Sequence, residues 1–246
     1  NFGYKLTLAG ILNTIFVNAY NIVIGKFFSA TQVGFYSKAD RLRMFPVKTL
    51  SSALKKVTYP LFSEMQNDND KLRMVYRKVM MQSMFIITPV LSYAFISAEP
   101  LFRFFLTEKW LPAVPYFRIL CFVGLLHIIQ SYNLNILNVK GRSDLFLKLE
   151  IIKKFIIVIG IAVTIPFGIL GLLYFQVVNS LISYGINSYY SGLFINYPAL
   201  SQIRDILPVI LMGIIPALFV YFIIYHLLSG DGWSDIFQLL ITCVVY

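Results

Sequence analysis

The sequence predicts an all-α fold, a polytopic transmembrane helix bundle of about seven spans plus a truncated eighth, and three observations carry that prediction. Of the 246 residues 58% are hydrophobic and 13% charged, with a mean hydropathy of +0.74. A soluble domain has about 45–50% apolar and about 25% charged residues. Apolar stretches of about 20 residues, enough to cross a hydrocarbon core ~30 Å thick, alternate with short polar connectors. Between Phe155 and Ile203 no residue is charged, a run that needs two crossings rather than one.

Span A covers about Leu6 to Phe28. Its small and polar residues Thr7, Gly10, Thr14, Asn18, Asn21 and Gly25 recur at three- and four-residue intervals, so they share one inward helical face. Such a stripe serves helix packing or lines a path. Span B, about Met44 to Phe62, divides more sharply: Lys48, Ser51, Ser52, Lys55 and Tyr59 on one face, Leu50, Leu54, Val57 and Leu61 on the other. Span C, about Val79 to Ala98, contains Thr88-Pro89, and a kink is expected there because proline removes a backbone donor.

The connector EPLFRFFLTEKWLPAVPYFR mixes aromatic and basic residues and suits the headgroup layer. Span D, about Ile119 to Val139, places His127, Gln130, Ser131 and Asn138 near one face and ends at the turn KGRSD. IPFGILG, Ile165 to Gly171, separates span E (about Leu149 to Ile165) from span F (about Leu172 to Phe194). Span F carries a polar stripe of Gln176, Asn179, Ser183 and Asn187. Span G, about Ile206 to Leu228, contains Pro208 and Pro216, and SGDGWSD introduces the short apolar run IFQLLITCVVY. That run and the absence of an initiator methionine predict a piece of a longer protein.

The formal charge of +10 would point to nucleic acid in a soluble protein. Here the cations alternate with apolar spans and read as topology signals and anionic-lipid contacts, so membrane lipids are expected partners and nucleic acid is not. The side holding Lys71, Arg73, Arg77, Lys78, Lys140, Arg142, Lys148, Lys153 and Lys154 is the richer in basic residues and is expected to be cytoplasmic. The stretch Gly25 to Pro60 departs from that rule. It holds Lys26, Lys38, Arg41, Arg43, Lys48, Lys55 and Lys56 against one acid, Asp40, between strongly apolar flanks. A cation at a helix centre in hydrocarbon costs at least ~2.5–3.5 kcal/mol, so these side chains should face a polar cavity or an anionic ligand.

No catalytic, metal or cofactor site is predicted. Asp68-Asn69-Asp70 has a metal-holding Asp-x-Asp pattern, but it stands in a short hydrophilic loop without a nucleotide-binding pattern, where solvated acids are the default. His127 has no histidine near it in sequence and is expected to pack between helices. No phosphate-binding glycine loop, nucleophile elbow or paired carboxylate lies within a span. Glu99, Glu108 and Glu150 fall at or beyond span ends, so no site for ion coupling is expected. Cys121 and Cys243 lie in apolar runs and read as small buried thiols.

Three segments, GKFFSATQVGFYSKADRL, EPLFRFFLTEKWLPAVPYFRIL and NVKGRSDLFLKLEIIKK, resemble the Wzx-type flippases for lipid-linked oligosaccharides, within the MOP (multidrug/oligosaccharidyl-lipid/polysaccharide) exporter superfamily. The likeness is nearest the colanic-acid and teichuronic-acid branch and corresponds to its C-terminal half. The resemblance implies one six-helix lobe of a two-lobed alternating-access transporter at residues 1–196. It leaves an additional helix and a truncated following one at residues 197–246.

The resemblance also implies a location in the bacterial inner membrane and a substrate on undecaprenyl diphosphate. Its implied partners are membrane lipids, the missing N-terminal lobe, and the polysaccharide polymerase and export machinery. On that footing Lys48, Ser51, Ser52 and Lys55 are expected in the cavity, Arg41 and Arg43 at its outer mouth, and Asn18 and Asn21 on the stripe suited to sugar hydroxyls. Snorkelling of the basic residues to headgroups is the competing placement. Competing functions are a polysaccharide polymerase or acyltransferase, and a drug or metabolite exporter of the same superfamily.

Overall fold

The computed structural model describes residues 19–223 together with residues 7, 8, 10, 11 and 16; span H and most of span A lie outside them. The described residues form helices and no strand. In order they are α1 (Ala19–Phe27), α2 (Ala30–Glu64), α3 (Asn69–Ile96), α4 (Ala98–Leu106), α5 (Val114–Val139), α6 (Ser143–Thr164), α7 (Gly168–Ile195) and α8 (Ala199–Ile223). Short 3₁₀ turns at Glu108–Ala113 and Ile165–Phe167 join α4 to α5 and α6 to α7.

Among the described residues, four helical stretches are long and apolar enough to cross a membrane: Asn69–Ile96, Glu108–Val139, Ser143–Ile195 and Ala199–Phe222. The third contains both α6 and α7, as the charge-free run required. The break falls at Pro166, and Gly168 follows with φ +75°, a conformation open to glycine without a Cβ penalty.

The residues between spans A and B belong to the helix that contains span B. Ser29 caps α2 directly: Gln32 N–H donates to Ser29 Oγ and Ser29 N–H to Gln32 Oε1, both at 3.2 Å. This reciprocal capping box leaves only Phe28 and Ser29 between α1 and α2. The helix then runs 35 residues, about 52 Å at 1.5 Å per residue, because the stretch up to Pro46 is rich in good helix formers. Lys38, Arg41 and Arg43 are therefore helical, in line with Lys48 and Lys55.

α5 is the central element. It packs most extensively on α7 and α2, while α8 lies along α3. Two apolar clusters fill the bundle. One gathers Tyr36, Ala39, Phe102, Phe117, Leu120 and Leu172 toward the α1–α2 and α6–α7 turns; the other gathers Val47, Phe62, Leu72, Tyr76, Met80, Ile136 and Ile206 toward the opposite end.

Within the second cluster a polar network joins four helices. Tyr76 Oη donates to Asn133 Oδ1 at 2.9 Å, Asn133 Nδ2 donates to Gln202 Oε1 at 3.0 Å, and Ser191 Oγ also donates to Asn133 Oδ1. Every partner is buried, so each bond replaces one that water would otherwise make. α6 meets α7 closely at Gly160, where a Cβ would stand 1.7 Å from Phe175 Cζ.

Candidate functional site

A cavity of about 980 Å³ opens between α2, α5, α6 and α7. That is at the upper end of small-molecule sites, which span about 300–1,000 Å³. α2 contributes Lys48, Thr49, Ser51, Ser52, Lys55 and Thr58, whose three- and four-residue spacing keeps them on one face. α5 supplies His127, Gln130, Ser131, Asn135 and Asn138; α6 supplies Glu150, Lys153 and Lys154; α7 supplies Asn179 and Ser183. His127, expected as a helix-packing residue, stands in the wall.

Among the described residues, the wall carries four lysines and one carboxylate. Lys153 Nζ donates to Glu150 Oε1, and Lys154 Nζ lies 3.7 Å from Glu150 Oε2. Glu150 and Lys153 are both 7% exposed. Some of the neutral polar groups are already engaged: Gln130 Nε2 donates to Ser180 O at 2.9 Å, Ser131 Oγ to His127 O at 2.8 Å, and Ser52 Oγ to Thr49 O at 3.1 Å. Others are not. Ser51 Oγ, Thr58 Oγ1, Asn135 Oδ1, Asn138 Oδ1 and Asn179 Oδ1 are buried lining atoms with no hydrogen-bond partner among the described residues. A buried polar atom left so costs about 1–3 kcal/mol, and a hydroxyl-bearing ligand or water relieves it.

The predicted site residues thus separate. Lys48, Ser51, Ser52 and Lys55 come together in the cavity. Arg41 is exposed on α2 and outside the lining. Arg43, expected at an outer mouth, is instead buried: it pairs with Asp40, one helical turn away on the same face, and its Cδ would be 3.0 Å from a Cβ at Gly124 of α5. Asn21 accepts from Ser37 Oγ at 2.7 Å, which pins α1 to α2. Asn18 lies outside the described residues. Of the span F stripe, Gln176 donates to Tyr36 Oη at 2.8 Å and packs helices, while Asn179 and Ser183 reach the cavity.

Sequence reasoning missed the α6 contribution. Lys153 and Lys154 were expected as cytoplasmic signals and Glu150 at a span end. α6 begins at Ser143, which sets Glu150 about 10 Å along the helix at 1.5 Å per residue. The signal was available in the spacing, since residues 150, 153, 154 and 157 share one helical face.

The Asp-x-Asp pattern is structural. Asp68 caps α3, accepting from Lys71 N–H at 3.0 Å, and that bond holds its carboxyl below the usual carboxylate range. Asp70 pairs with Arg73 at 3.3 Å. No group of three His, Cys, Asp or Glu suited to a metal occurs among the described residues.

Apolar helices around a polar, cation-rich cavity define a multi-pass membrane protein with an internal polar cavity. The family model described as "Polysaccharide biosynthesis protein" matches residues 1–115. The chain is 29% identical to the lipopolysaccharide biosynthesis protein WzxC of Escherichia coli (strain K12), over 74% of this chain and 38% of that protein. It is 29% identical to the teichuronic acid biosynthesis protein TuaB of Bacillus subtilis (strain 168), over 59% of this chain and 30% of that one. An uncharacterized membrane protein in the cps region of Klebsiella pneumoniae is 28% identical over 74% and 39%.

The chain is therefore similar to proteins of lipopolysaccharide and teichuronic acid biosynthesis, and its long apolar helices are those of a multi-pass membrane protein. None of these three relatives bears an enzyme's name. The chain spans under two-fifths of the length of each of them. No solved structure matches it significantly.

Proposed function

We propose that this chain forms one lobe of a transporter that flips undecaprenyl-diphosphate-linked oligosaccharide across the inner membrane by alternating access. The cavity carries the reading: four lysines border amide and hydroxyl groups that lack partners among the described residues. A diphosphate is a compact anion suited to ammonium donors, and sugar hydroxyls donate to the carbonyl oxygens of Asn135, Asn138 and Asn179. Lys48 and Lys55, with Ser51 between them, take the anion from the α2 side. The N-terminal lobe of the same protein closes the cavity, and polymerase and export machinery receive the flipped unit.

The test is complementation of a flippase-deficient strain with the full-length protein. Lys48→Ala and Lys55→Ala are each expected to lower surface polysaccharide while the protein still reaches the membrane. Wild-type amounts from both variants would remove the cavity role. Lipid-linked oligosaccharide should accumulate in cells lacking the gene; a drug exporter's loss would cause no such build-up, and a polymerase's loss would leave single units exported.

A further inference from the structure

Among the described lining residues, Glu150 is the one acid beside four lysines. Its carboxylate takes Lys153 at Oε1 and stands within ion-pair distance of Lys154 at Oε2, so one side chain engages both ammonium groups of α6. Lys48 and Lys55 on the facing helix have no carboxylate within ion-pair distance among the described residues. Lys48, Lys55, Glu150, Lys153 and Lys154 all border the same cavity.

The burial of Glu150 and Lys153 gives the arrangement its consequence. Glu150 and Lys153 are each 7% exposed, and an ammonium so buried without a counter-charge costs several kcal/mol. A carboxylate and a phosphate oxygen offer the same ligand to an ammonium group: a compact anionic acceptor. Any phosphate that reaches Lys153 therefore competes with Glu150 for it.

We infer that Glu150 is a built-in, displaceable counterion, a carboxylate that occupies the α6 lysines until the phosphate group of a ligand replaces it. Three consequences follow from the geometry. Glu150 offsets one of the two α6 charges and Lys153 stays buried while no anion is bound. Affinity is lower than four lysines alone would give, which favours release as well as capture. Lys48 and Lys55 meet the incoming anion first and α6 engages second, by exchange of one anionic partner for another. The same competition discriminates between ligands, because a neutral sugar has no charge with which to displace a carboxylate. The inference rests on the reading of the cavity as an anion site and adds Glu150 as the residue that regulates its occupancy.

Binding of inorganic pyrophosphate to purified full-length protein tests it. Glu150→Gln keeps the shape and removes the charge; its affinity is expected to rise at least about fivefold, the lower end of ordinary coupling between sites. In a Lys153→Gln background the same change should gain much less. Glu150→Asp, which draws the carboxylate back by one methylene, should give a smaller gain of the same sign, and it serves if Glu150→Gln does not fold. Unchanged or weaker binding in both Glu150 variants would overturn the inference. If that occurs while Lys48→Ala and Lys55→Ala still weaken pyrophosphate, the anion site stands and only the counterion role falls. If neither lysine variant weakens pyrophosphate, the cavity reading itself falls and takes the counterion with it.

Discussion

α2 and α6 face each other across the cavity with two lysines each, and they hold them in opposite ways. Lys48 and Lys55 of α2 are exposed and without a described carboxylate partner. Lys153 and Lys154 of α6 share Glu150, with Lys153 buried. An exposed lysine is held by its own stem and is replaceable without loss of structure; a buried ion pair is part of the packing, and removing one member strands the other. In the proposed function the α2 side is the binding half of the cavity, and the α6 side couples binding to structure.

The largest expected effect breaks that coupling. Lys153→Ala leaves Glu150 buried with only Lys154 at 3.7 Å. The expected loss is about 3 kcal/mol, the lower end for breaking a buried pair. Lys55→Ala, at an exposed position, should stay within about 0.5 kcal/mol of wild type. Thermal unfolding of the full-length protein in detergent compares the two. Equal shifts would erase the distinction between the helices.

A smaller effect concerns how α6 is seated. An Ala at Gly160 would drive its Cβ into the Phe175 ring of α7, and overpacking of this kind costs about 1–3 kcal/mol. Melting of Gly160→Ala should fall accordingly, and Phe175→Leu in the same chain should restore part of it. A double variant no more stable than Gly160→Ala would show that the contact does not seat the helix.

The contrast between α2 and α6 also explains what the sequence reveals. The α2 lysines announce themselves because Lys48, Ser51, Ser52 and Lys55 interrupt an apolar span at helical spacing. The α6 lysines sit near the polar turn KGRSD and look like its continuation; only the helix start at Ser143 moves them inside. The start of α2 is legible in Ser29 and Gln32, a capping-box spacing. Span F's stripe was legible as a face. Which member meets Tyr36 and which meets the cavity depends on neighbours from distant sequence. The same holds for Asn133, whose partners Tyr76, Ser191 and Gln202 come from three other helices.

The smallest effect comes from a third pairing of lysine and carboxylate, at the turn between α2 and α3. Asp68 and Lys71 are 3.3 Å apart, like the α6 pair in chemistry but in water, where side-chain entropy and solvent screening leave little net gain. The backbone bond from Lys71 lowers the Asp68 carboxyl in the folded state. Its contribution is therefore complete above the unfolded carboxyl's ordinary value, about 3.9, and is lost as pH falls from there through the lowered folded value. Asp68→Asn keeps a side-chain oxygen for the cap while removing this acid sensitivity, whereas Asp68→Ala loses both. At neutral pH the melting temperature should order as wild type, then Asn, then Ala, with every gap smaller than the drop for Lys153→Ala. On acidification the wild type should approach the Asn variant. A Lys71→Ala shift as large as that of Lys153→Ala would mean that burial is not what distinguishes the α6 pair.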